Sequence, residues 1–177
     1  MMKAYLRIAL VFLAAAMFTG CGFHWQGEKQ LAPPLHRMYL QTSDPYGTLA
    51  RTLTQYMKLS HVQMVSSPAQ AQTVLVISQE NITQELLGIS GTQQTRQYNL
   101  KISVTFEIAD GHGHTIINPE TLSESRTITV QSNQILGSSN EVNLYYQQMR
   151  RALAYAIMNR IASKEVSYTV MKAFHSA

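Results

Sequence analysis

The sequence predicts an α+β domain. Between Tyr98 and Ile108 the apolar residues Tyr98, Leu100, Ile102, Val104, Phe106 and Ile108 alternate with Asn99, Lys101, Ser103, Thr105 and Glu107. That is the period of a strand with one face on a core and the other polar. Two further stretches repeat at helical spacing instead. In the first, Leu49, Leu53, Tyr56, Met57 and Ser60 share one face; in the second, Val142, Tyr146, Met149, Leu153, Ala156, Ile157 and Ile161 form one stripe.

The N-terminal residues read as a leader. Lys3 and Arg7 supply positive charge, Ile8 to Phe18 is an unbroken apolar run, and Thr19-Gly20 places small residues before Cys21. The run is too short to span a bilayer, which takes roughly 20 apolar residues. Cleavage after residue 20 makes Cys21 the acylation site, with a diacylglycerol and an N-acyl chain that anchor the mature chain without spanning. Phe18 stands where bacterial lipoboxes usually carry Leu. A buried structural cysteine and a catalytic thiol are the competing readings of Cys21, and the second needs a histidine that the fold brings near.

Residues 21–34 lack periodicity and end in Pro33-Pro34, so they read as a lipidated tether, with the domain over 35–163 and a tail over 164–177. Met38 and Leu40 alternate within 36–42, a short strand. Ser43-Asp44-Pro45 offers an N-cap oxygen before a proline suited to a first helical turn, and the first amphipathic helix follows to about Ser60. Residues 62–65 are a second short strand, closed by Ser66-Ser67-Pro68. The apolar, β-branched run 74–77 is a central strand that extends toward Leu87. Gly and Ser in 88–94 reverse the chain into the alternating strand. Asp110-Gly111-His112-Gly113 is a hairpin turn, and the return strand covers 114–117 and 122–131, interrupted at Pro119. Ser138 and Glu141 have the spacing of a capping box for the long helix that runs to about Ser163.

Charge excludes some functions. Without Lys3 and Arg7, 12 Lys+Arg face 10 Asp+Glu, a balance that makes no case for nucleic acid. Charged residues are 14% of the chain, against a usual quarter or so, while Gln, Ser and Thr are plentiful. Such a surface suits a wet, hydrogen-bonding partner, or reflects compositional bias alone.

Catalytic constellations do not stand out. His112 and His114 could share one side of a strand, yet no third ligand has recognisable spacing beside them, and the pair reads as a polar turn rather than a metal site. With no nucleophile triad, phosphate loop or metal signature, the chain is expected to be a non-enzyme without a cofactor beyond the acyl chains on Cys21. A binder of acidic lipid must present Lys or Arg to phosphate. Arg96 and Lys101 flank the start of the strongest strand, but their spacing of five puts them on opposite faces unless a bulge intervenes. Ordinary solvated charge is the competing reading of both.

The start Cys21-Gly22-Phe23-His24, the entry Ser43-Asp44-Pro45-Tyr46-Gly47 into a helix with Leu49, Arg51 and Leu59, Gln94-Thr95 before the strand led by Tyr98, and Asn140-Glu141 on the last helix occur in one order and at compatible spacings. In this the chain resembles the LptE family, the lipopolysaccharide-assembly lipoproteins of the Gram-negative outer membrane. The resemblance implies two helices packed on one face of a mixed, mostly antiparallel sheet of about four strands. It also implies a place inside the lumen of the β-barrel translocon LptD, as plug and assembly chaperone, in contact with lipopolysaccharide. Gly22, where Asp would favour inner-membrane retention in enteric bacteria, fits outer-membrane sorting at the periplasmic face. The 88–94 loop carries no basic residue, which leaves Arg96 and Lys101 as the lipopolysaccharide-binding candidates. The alternative is a stand-alone periplasmic lipid-binding or shuttle lipoprotein, which requires an apolar cavity lined by Leu53, Met57, Phe106 and Met149.

Overall fold

The alternating segment becomes the strand around which the sheet is organised. In the computed structural model, which describes residues 31–91, 95–131 and 135–175, it lies within β4 (Thr95–Asp110), whose residues Leu100, Ile102, Val104, Phe106 and Ile108 are buried at 0–1% exposure. The other strands are β1 (Arg37–Thr42), β2 (Gln63–Met64), β3 (Thr73–Ile89) and β5 (Thr115–Gln131). Their order is β2-β1-β3-β4-β5. β1 is parallel to both neighbours, while β3, β4 and β5 form an antiparallel run.

The sheet thus has five strands rather than the four or so that the resemblance implies, and the short strand read at 62–65 is the two-residue β2. The helices also exceed the expected two. They are α1 (Thr48–Leu59), α2 (Ile135–Ile161) and α3 (Lys164–His175). All three contribute to one core with the even-numbered face of β4, through Leu53 and Met57, Leu153 and Ile157, and Val166 and Val170.

Both ends of the domain reach further than the 35–163 limits. Leu31 and Ala32, placed in the tether by their lack of periodicity, are 5% exposed and belong to the core. Just beyond them the buried Thr73 hydroxyl donates to the Pro34 carbonyl at 3.2 Å, fixing the start of β3 against the 3-10 turn Pro33–His36. At the other end the expected tail is α3. Ser163, read as the end of the preceding helix, caps this one, its hydroxyl accepting from the Val166 amide at 3.3 Å.

Helix ends differ from the sequence reading for local reasons. α1 begins at Thr48 with Gly47 as its cap residue, so Asp44 is not the N-cap; the Asp44 amide instead donates to the Thr42 hydroxyl at 3.3 Å. α1 stops in a Schellman arrangement, with Val62 N–H on the Met57 carbonyl at 2.9 Å, His61 N–H on that of Lys58 at 3.1 Å, and His61 at φ 58°. α2 starts at Ile135, so Ser138 and Glu141 lie inside it rather than at its start. Glu141 accepts from the Tyr145 hydroxyl at 2.8 Å, which pushes the Tyr145 pKa up.

The β4–β5 turn falls where expected. One Asp110 oxygen accepts from the His112 and His114 amides at 2.8 Å each, and the other lies 2.9 Å from His114 Nδ1. Burial raises the Asp110 pKa, but these hydrogen bonds outweigh it and hold the carboxyl at about 2. Gly113 takes φ +91°, and at Gly111 a Cβ would stand 2.6 Å from the Ala71 carbonyl, so the turn can rest on that loop only without a side chain.

Pro119 does not divide the return strand. Ile117 pairs with Ile108 and Glu120 with Phe106, leaving Asn118 and Pro119 opposite Glu107 alone. Proline is tolerated there because β5 is an edge strand and the ladder is already irregular. Next to it, Arg160 of α2 holds both Glu120 oxygens at 2.7 Å and reaches Glu165 of α3 at the same distance, joining three elements. The hydrogen bonds from Arg160 lower the Glu120 pKa.

Candidate functional site

Past the last β1–β3 pairing, Thr42 with Ile77, the sheet continues as the three strands β3, β4 and β5. This arm carries the candidate site. Residues 79–87 of β3 are all exposed, so over that length the strand is open on both faces except where Arg150 of α2 meets Glu80. Polar residues alternate there with Ile82 and Leu86, a pattern that satisfies a strand without supplying a buried face.

The two faces of the arm differ. On the open face the β3 residues Gln79, Asn81, Thr83 and Glu85 lie beside Thr105, Ser103, Lys101 and Asn99 of β4, followed by Thr121, Ser123, Ser125 and Thr127 of β5. Hydroxyls and amides dominate, and Glu85 and Lys101 are its only charges along these rows. Thr105 and Thr121 share a hydrogen bond of 2.8 Å across the strands.

The opposite face is amphiphilic at its far end. Arg96 is exposed and stands in register between Ile89 of β3 and Val130 of β5; in the next row Tyr98 stands between Leu86 and Ile128. Leu86 is 48% and Ile89 53% exposed. A cation is therefore set at the end of an apolar strip.

Arg96 and Lys101 are not brought together. The β4–β5 register is unbroken from Thr95 to Phe106, so the predicted opposite-face placement holds, and the irregularity at Leu86/Gly88 lies in β3. Lys101 points into the hydroxyl-rich face between Thr83 and Ser125. The residues that sequence reasoning missed are Leu86 and Ile89. Both were absorbed into a strand end and a reversing loop, and only the cross-strand register places them beside Arg96. Cys21 and the leader lie outside the described residues, as do residues 92–94 of the loop.

The arm is lashed to α2. Arg150 contacts Glu80 of β3 at 2.7 Å, while Arg126 of β5 donates to Gln148 and sits 4.7 Å over the Tyr145 ring. These contacts lie on the helix-bearing face and leave the hydroxyl-rich one open. Among the described residues no group of three His, Cys, Asp or Glu is placed to hold a metal. Asp110 and His114 instead brace the turn. No helix among the described residues is long and apolar enough to cross a membrane.

Fold and site together define a small α+β domain that presents a sheet surface for contact. Its relatives place it more narrowly. The chain belongs to the LptE family, described as lipopolysaccharide-assembly, whose model matches residues 35–161. It is 29% identical over 164 residues to the LPS-assembly lipoprotein LptE of Yersinia enterocolitica, covering 90% of this chain and 77% of that one. With the protein of the same name from Pectobacterium atrosepticum it shares 25% identity over 178 residues, covering 99% and 95%. Among solved structures, the rare lipoprotein B of Shewanella oneidensis superposes with a TM-score of 0.63 at 24% identity, over 74% of this chain and 97% of that one. Lipoprotein B of Nitrosomonas europaea gives 0.64 at 18% identity, over 80% and 90%. These two likenesses concern the fold.

Proposed function

We propose that this chain is a lipopolysaccharide-assembly lipoprotein of the outer membrane, anchored through acylated Cys21, that seats in the lumen of an LptD-type barrel, helps that barrel assemble, and contacts lipopolysaccharide during its insertion at the cell surface. The observation that carries the reading is the two-faced arm. Its open face is rich in hydroxyls and amides and poor in charge, which complements the polar, wet interior of a large barrel. Its other face ends in Arg96 among Ile89, Tyr98 and Val130, the combination that a phosphorylated, acylated ligand requires. Family membership and the names of the relatives support the same assignment. Binding and positioning are the whole of the role; no catalytic step is needed.

The shuttle alternative has no observation in its favour. Leu53, Met57, Phe106 and Met149, which would line its lipid cavity, are 0–3% exposed and pack into the common core.

Replacing Arg96 and Lys101 together with Ala is expected to weaken binding to purified lipopolysaccharide by about tenfold or more, the loss of one charge-assisted contact. Arg96→Ala alone should account for most of it, since Lys101 faces away from the apolar strip. Circular dichroism should be unchanged, because both side chains are exposed. Unaltered affinity in the double variant would refute the assignment.

A further inference from the structure

A second polar surface lies away from the arm, where α1 passes α2. Thr48, Arg51, Thr52 and Gln55 make an i, i+3, i+4, i+7 stripe along α1, and Gln147 and Arg151 stand one turn apart on α2; together with Tyr56 they line an open groove of about 540 Å³. The Tyr56 ring also packs edge-on against Tyr155, centroids 6.1 Å apart.

Two properties of this groove suit an anion. No carboxylate lines it, although it carries two guanidinium groups. Elsewhere Arg150 and Arg160 are each matched to Glu, at 2.7 Å, while Arg51 and Arg151 have no acidic partner among the described residues. Two guanidinium groups lining one groove both favour an anion held in it. Its volume falls within the range of about 300–1,000 Å³ typical of small-ligand sites, far more than one phosphate fills. The remaining lining supplies hydroxyls and amides, which pair with sugar hydroxyls, and an aromatic ring, which covers a pyranose face.

We propose that the α1–α2 groove binds a phosphorylated saccharide, with Arg51 and Arg151 on the phosphate and Thr52, Gln55, Gln147 and Tyr56 on the sugar. The phosphorylated sugar headgroup of a lipid and a free sugar phosphate offer the same chemistry. This site stands independently of Arg96 and of the role assigned to the arm.

The test is calorimetric titration of the folded protein with glucose 1-phosphate, inorganic phosphate and glucose, and with dispersed lipopolysaccharide. Glucose 1-phosphate is expected to bind saturably and more tightly than either fragment. Arg51→Ala and Arg151→Ala should each weaken it about tenfold, the effect of one lost charge-assisted contact. Arg51→Lys keeps the charge but loses the two-pronged geometry, and should fall between. Lys58→Ala, at an exposed cation on the same helix outside the groove, should leave this binding unchanged. If the groove variants also weaken lipopolysaccharide binding, the natural source is a lipid headgroup; if lipopolysaccharide is unaffected, it is a free sugar phosphate. Absence of saturable binding, equal binding of inorganic phosphate, indifference to both arginine substitutions, or displacement by an acidic peptide at equal concentration would overturn the proposal.

Discussion

Phe106→Ala is expected to lower the unfolding free energy by about 3–5 kcal/mol. Phe106 is 1% exposed and is the largest of the fully buried side chains. It sits on a strand paired on both sides, opposite Ile77 of β3 and Glu120 of β5. Strand pairing holds the backbone in place, so the space left by the ring cannot close by collapse, and the cost should lie toward the upper end. Urea denaturation would show a lower midpoint at unchanged slope. A loss under about 1 kcal/mol would mean that the ring occupies a looser site than its burial implies.

Val170→Asp should cost a comparable amount, about 3–5 kcal/mol, by burying an unpaired carboxylate. Val170 is 0% exposed and Val166 1%; both belong to the core, on a helix that packs beside β5 and the Pro33–His36 turn. Tyr168, on the same helix, is 71% exposed; its replacement by Asp should change stability by no more than about 0.5 kcal/mol. The pair separates a docked helix from an appended tail. Equal, small effects at both positions would show that α3 contributes nothing to the domain's stability.

The contrast between these residues marks what a sequence can reveal. β4 was legible because six apolar residues at period two have no other efficient burial, and α1 because Leu49, Leu53 and Met57 recur at helical spacing beside Arg51 and Lys58. α3 was not, since it places only two valines in the core and its cap, Ser163, also reads as the end of the helix before it. Pro119 misled for a related reason: its effect depends on whether the strand is at an edge, which is a property of sheet order and not of local sequence. Leu31 and Ala32 lie in a segment too short for any period, and only tertiary packing assigns them.

The candidate site was legible in part. Opposite-face placement of Arg96 and Lys101 follows from strand geometry alone. Their environments do not, because Ile89 and Val130 reach Arg96 through two separate ladders, one of them shifted by the irregularity at Leu86/Gly88. The Arg51–Arg151 groove joins residues a hundred positions apart on different helices, and no linear pattern announces it.

In the function proposed above, the hydroxyl-rich face of the arm seats against the inner wall of a barrel. Photo-crosslinkers at Ser103 and Ser125, in cells expressing the full chain at its natural level, would report that contact. We expect both positions to yield a one-to-one adduct with a large outer-membrane β-barrel that also copurifies with the unlinked protein. Recovery of the lipoprotein from membranes without any barrel, and with no adduct from either position, would rule out a barrel-seated arm.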